Sequence, residues 1–127
     1  MTKGGVHVNP RQRAVRGLVS SAMTPEDYTT MGQVRAGVDA IDRQLVALLA
    51  ERFAHMRAAA RIKPERGQVR DEARKAQVIA NARAEAERLG APADTVAALW
   101  EQLVEASIAY EMEAFDRSRD DTHTRSP

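Results

Sequence analysis

VRAGVDAIDRQLVALLAERFAHMRAAARIK, residues 34–63, carries apolar side chains at Val34, Val38, Ile41, Leu45 and Leu48. Steps of four, three, four and three place all five on one face of an α-helix. The next position on that stripe is Arg52. A cation on the buried face of a helix is costly unless something anionic meets it. Arg52 therefore marks a place where an anion is expected.

Upstream, Thr30 followed by Gln33 makes a capping box, so the helix is expected to begin there. Downstream, Pro64 ends it near Ile62, because the residue before a proline avoids the α region. Gly37 weakens it by about 1 kcal/mol relative to Ala, and is either a point of close approach for another helix or a tolerated surface glycine. A helix from Met31 to Ile62 would be about 48 Å long at 1.5 Å per residue, more than the width of a small domain. Two shorter helices of the same chain cannot cover its stripe along the whole length, so a partner chain and an obligate homodimer are expected.

Pro64–Arg70 reads as a polar loop, and Asp71 as the N-cap of a second helix reaching Leu89. Gly90 and Pro92 stop that helix. Asp94 reads as the cap of a third helix, with a stripe of Val96, Leu99/Trp100, Leu103, Ala106/Ser107, Tyr110 and Ala114. From Arg117 the sequence RSRDDTHTRSP is polar and reads as frayed. Residues 1–28 hold Gly4, Gly5, Pro10 and Pro25 with no sustained period, and read as a disordered basic tail. The expected organisation is a tail over 1–28, an all-α domain of three helices over 29–117 and a second disordered tail over 118–127. No strand pattern or internal repeat is visible.

The chain has 127 residues, enough for one domain. With 43% hydrophobic but only 4% aromatic residues, its core must be aliphatic. Nineteen bases against 18 acids, interleaved, give no reason to expect nucleic acid or a membrane surface. The absence of Cys excludes disulfides, thiolate metal sites and Cys nucleophiles. His7, His55 and His123 form no ligand pair, so no metal is expected. No apolar run is long enough to span a bilayer. The N-terminal segment lacks the apolar core of a secretory signal, which favours a cytoplasmic location.

Arg52 and Lys63 are eleven residues apart, close to three helical turns, so they share a face about 16 Å apart along the axis. Two long side chains at that spacing can converge on a small metabolite. The structural alternatives are an interface arginine and a lysine placed favourably at a helix C-terminus. Asp71 can be a cap alone, and Arg74 a solvated charge. Ser107 and Glu111 lie one turn apart, readable as a small residue at a helix crossing and an exposed acid. The set Arg35, Arg52, Lys63 and Arg74 is cationic, and no nucleophile–base pair stands out. Such a set suits a small dianion and a reaction driven by positioning and electrostatics.

At these residues the chain resembles the all-helical chorismate mutase family over about residues 23–117. The resemblance rests on VRAGVDAIDRQLVALLAER followed by Lys63, on VRDEAR around Asp71 and Arg74, and on LWEQLVEASIAYE around Ser107 and Glu111. It implies an intertwined homodimer with two sites, each taking Arg35 from the partner chain. Arg35, Arg52 and Arg74 would hold the two carboxylates of chorismate, and Lys63 would donate to its ether oxygen. Glu111 would be the second donor there, and Asp71 and Ser107 would line the ring and side-chain end. The implied reaction is the rearrangement of chorismate to prephenate, which needs no cofactor and no covalent catalysis. Lys75 is a departure, standing where many members have a Glu that binds the ring hydroxyl; Glu111 stands where many have Gln. The opening MTPEDY, residues 23–28, resembles the branch that includes isochorismate-pyruvate lyases, which keep the fold and the cationic pocket. Three readings follow: a mutase feeding aromatic amino acid biosynthesis, a lyase making salicylate, and a non-catalytic dimerisation module. Survival of every cationic position disfavours the third.

Overall fold

The structure, a computed structural model, describes residues 23–124. Three helices form, α1 over Met31–Ile62, α2 over Glu72–Leu89 and α3 over Ala93–Thr124, with 3₁₀ turns at Pro25–Asp27 and Arg66–Gln68. The described residues contain no strand, so the all-α reading holds. The chain divides into two compact units, one ending at Leu49 and one beginning at Ala50, and α1 runs through the boundary.

In the first unit the capping box forms as expected. The Thr30 hydroxyl accepts from the Gln33 N–H at 3.1 Å, and the Gln33 side chain accepts from the Thr30 N–H at 3.0 Å. Of the expected 1–28 tail, residues 1–22 lie outside the described residues. Residues 23–28 are a correction to it, because they build a capped turn instead. Both the N–H and the hydroxyl of Thr24 donate to the Asp27 carboxylate, at 3.2 and 2.9 Å, and Pro25 supplies the fixed φ of a first helical position. Gly37 admits not another helix but Tyr28, whose hydroxyl lies 2.5 Å from where a Cβ at residue 37 would stand. The apolar stripe of α1 is exposed, with Val38 at 49% and Leu45 at 51%.

In the second unit α2 and α3 pack side by side. Ala60, Val69, Val104, Ile108 and Phe115 form the core, with Val78, Ile79, Trp100, Met112 and Ala114 against it. The turn between α2 and α3 works as the sequence implies. Gly90 takes φ 79°, and the Ala91 N–H returns to the Ala86 carbonyl at 2.8 Å, a Schellman closure.

The end of α3 differs from expectation. It does not fray at Arg117 but continues to Thr124, making α3 as long as α1 at 32 residues each. The polar side chains there are used. Arg66 binds Asp116 through two nitrogens, at 2.8 and 3.3 Å. Arg119 lies over the Phe115 ring and donates to two backbone carbonyls near the end of α1. The rest of the expected C-terminal tail, residues 125–127, lies outside the described residues. Among the described residues no helix is long and apolar enough to cross a membrane.

Candidate functional site

Within the second unit a cleft of about 360 Å³ opens between the last turns of α1, the start of α2 and the middle of α3. Arg52, Met56 and Ala59 line it from α1, and Lys63 stands just past that helix. Arg74, Lys75 and Val78 come from α2, with Asp71 at its cap, and Val104, Ser107, Ile108 and Glu111 come from α3. Six of the residues expected from the sequence thus meet at one place: Arg52, Lys63, Asp71, Arg74, Ser107 and Glu111. Arg35 does not line this cleft; it is an exposed residue of α1 in the first unit.

Ser107 is only 4% exposed, and its hydroxyl both donates and accepts. It donates to the Leu103 carbonyl one turn earlier, at 2.7 Å, and accepts from Arg52 Nη1 at 2.6 Å. This fixes the Arg52 guanidinium across the helix crossing. Burial lowers the Arg52 pKa, and the neighbouring Arg74 cation lowers it further. A guanidinium does not give up its proton under these conditions. The two cations therefore face one another at a cost that a bound anion would relieve.

Lys63 Nζ lies 2.7 Å from Glu111 Oε2. Glu111 is 4% exposed, which overturns the reading of it as an exposed acid. A buried carboxylate without a partner would be costly, and the Lys63 ammonium is its partner. That bond uses one of three ammonium protons, leaving two for a ligand.

At the head of α2, the Asp71 carboxylate accepts from the Arg74 N–H at 3.0 Å, so its capping role is realised while it borders the cleft. Arg74 Nη1 donates to Gln77 at 2.7 Å. Lys75 was visible in the sequence as a departure, but its partners were not. Its Nζ meets Glu101 at 2.7 Å and Glu105 at 2.6 Å, and Arg70 also binds Glu105, at 2.7 Å. The Lys75 pKa is raised by hydrogen bonds to Glu101 and Glu105. Glu105 is held down to about 2 by its hydrogen bonds to Arg70 and Lys75. The Lys75 charge is thus answered from α3, and its stem forms cleft wall. The signal for this pair was Glu101 and Glu105 one turn apart on α3.

Met56, Val78, Val104 and Ile108 supply an apolar wall that the sequence reading did not single out, since none of them falls on the stripes it named. His55 is exposed, with Nδ1 2.8 Å from the Glu51 carbonyl. No group of three His, Cys, Asp or Glu among the described residues is arranged to hold a metal. The cleft has cations, one hydroxyl already used, and apolar walls. It can bind a small anion and hold it in one shape, whereas nucleophilic attack has no poised group.

A family model described as chorismate mutase type II matches residues 34–112, a span that includes Arg35 and all six cleft residues. The chain is also 29% identical over 96 residues to the isochorismate pyruvate lyase of Pseudomonas aeruginosa. That stretch covers 76% of this chain and 95% of the relative.

Proposed function

Since the match over residues 34–112 makes this chain a member of the chorismate mutase type II family, we propose that its cleft rearranges chorismate to prephenate in aromatic amino acid biosynthesis. The observation that carries this reading is the convergence of Arg52, Lys63 and Arg74 on one small cleft, with Ser107 and Glu111 buried on its α3 side. Chorismate is a dianion of suitable size. Arg52 and Arg74 bind its carboxylates, with Arg35 of the partner subunit completing the set. The apolar wall and Asp71 confine the ring, and Ser107 keeps Arg52 in place.

The reaction is intramolecular. One C–O bond breaks as one C–C bond forms, and nothing is gained or lost. Catalysis then consists of selecting the compact diaxial conformer and stabilising negative charge on the departing ether oxygen. Lys63 has two free N–H groups for that oxygen, and Glu111 is a second donor there only as a protonated carboxyl, because a carboxylate accepts and cannot donate. No cofactor is required by such a step.

A second reading is favoured by particular observations. The relative is a lyase, and Lys75 with its two glutamates stands where the ring hydroxyl of chorismate is commonly bound. Isochorismate carries that hydroxyl on a different ring carbon, so the same cleft could cleave it to salicylate and pyruvate. Incubation of the purified protein with each compound separately, with products separated by chromatography, decides. Prephenate from chorismate at the higher kcat/KM supports the mutase; salicylate from isochorismate at the higher value supports the lyase. Neither product would leave the dimerisation module.

A further inference from the structure

Arg119 lies outside the cleft and beyond the residues that match the family. Its guanidinium stacks 3.8 Å over the Phe115 ring. Nη1 donates to the Ala60 carbonyl at 3.0 Å, and Nη2 donates to the Lys63 carbonyl. The sequence explains why the Ala60 carbonyl lacks a helical donor. In a continuing α-helix the N–H of residue 64 would bond to the carbonyl of residue 60. Residue 64 is a proline and has no N–H. Ala60 is only 1% exposed, so bulk water is a poor substitute, and an unmet buried carbonyl is costly. Arg119 supplies the missing donor and sets a cation at the negative end of α1.

The same guanidinium grips the backbone of Lys63, whose ammonium binds Glu111. Glu111, Phe115 and Arg119 recur at steps of four on α3, so they share one face. That face holds Lys63 at both ends, Glu111 at the ammonium and Arg119 at the carbonyl. We infer that Arg119 is a positioning residue for the Lys63 amine. It holds the carbonyl side of Lys63, whose N–H already bonds the Ala59 carbonyl at 2.9 Å, and so fixes the point from which the lysine side chain leaves the backbone just where Pro64 stops the helix. The inference rests on the proposed role of Lys63 in turnover, and its geometry can be probed without turnover.

The variant Arg119→Met keeps an apolar stem over Phe115 and removes both donors. In the full-length protein, kcat should fall about tenfold or more, as small misplacements of a reacting group do, with KM near wild type. The fall should vanish when Arg119→Met is added to Lys63→Met, because there is then no amine to misplace. Independently of activity, trace acetylation read by peptide mass spectrometry should label Lys63 faster relative to Lys75 in Arg119→Met than in wild type. Arg119→Lys, with one cationic centre in place of two forked donors, should fall between the two. Wild-type kcat and a wild-type labelling ratio in Arg119→Met would overturn the inference, as would a full loss on top of Lys63→Met. If Arg119→Met does not fold, Arg119→Lys is read against the same outcomes. If the wild type converts neither substrate, the functional reading fails, and the Lys63 to Lys75 labelling ratio alone decides whether Arg119 positions the lysine.

Discussion

Ser107 and Glu111 are both small in number of contacts to solvent yet polar, and each is buried because a cation from α1 or its end meets it. For Arg52 this means that its loss leaves the partner satisfied, since the Ser107 hydroxyl keeps its bond to the Leu103 carbonyl. Arg52→Ala should therefore abolish turnover, by about a hundredfold or more for a lost charge-stabilising group. Its unfolding free energy should change by no more than about 1 kcal/mol. Activity assays paired with denaturant titration check this, and a variant that does not fold would make Arg52 a structural residue. Glu111 separates in the same way. Glu111→Gln keeps an acceptor for Lys63 and offers the ether oxygen a permanent N–H, so kcat on chorismate should hold or rise. Glu111→Ala has neither and should lose about tenfold or more. If the Gln variant falls as far as the Ala variant, the negative charge that anchors Lys63 is what matters, and Lys63 alone donates to the oxygen.

Between elements, α2 and α3 are joined at the cleft's edge by Arg70, Lys75, Glu101 and Glu105. Glu105 is depressed to about 2 in the folded chain, against about 4.3 for an unperturbed Glu. A depressed acid stabilises the fold above its unfolded value and loses that contribution as pH falls. Lys75 is raised, so its share is present below the unfolded lysine value and is lost as pH rises through the folded one. The thermal-stability gap between wild type and Glu105→Gln should therefore be widest at neutral pH and narrow progressively as pH falls from about 4 toward about 2. A gap unchanged at pH 3 would show that the network adds nothing to folding. This network was not legible beforehand. Helix positions follow from periodicity, and the caps at Thr30, Asp71 and Gly90 follow from local chemistry and form as expected, whereas Asp94, expected to cap α3, lies inside its first turn because the helix already begins at Ala93. Which turn of α2 faces which turn of α3 depends on packing, which no local pattern encodes. The end of α3 was misread for the same reason. RSRDDTHT is polar, but Arg119 has its partners at Ala60 and Lys63, more than fifty residues away.

At the scale of the whole molecule, the single chain leaves the apolar stripe of α1 exposed. Val38, Ile41, Leu45 and Leu48 are all exposed on it, and a row of aliphatic side chains of this length is the kind of surface that a second copy covers. The protein should sediment as a dimer at low micromolar concentration, and a folded 14.0 kDa species there would defeat this. Arg35 belongs to the same question. It is exposed on α1, makes no ion pair among the described residues, and is needed by the proposed site to complete its hold on two carboxylates. If it serves the partner's cleft, then Arg35→Ala and Lys63→Ala are each inactive as homodimers for different reasons. Mixed and allowed to exchange, they form heterodimers in which the cleft with the intact Lys63 receives an intact Arg35 from the other chain. The second cleft in that heterodimer lacks both. With equal amounts and random pairing, half the dimers are mixed and each holds one good site, so activity should recover to about a quarter of wild type. Were Arg35 to act within its own chain, each cleft of the heterodimer would lack one residue and no activity would return. Exchange must be shown separately, for instance by mass spectrometry of isotopically distinct chains, so that silence after proven exchange counts against the trans arrangement.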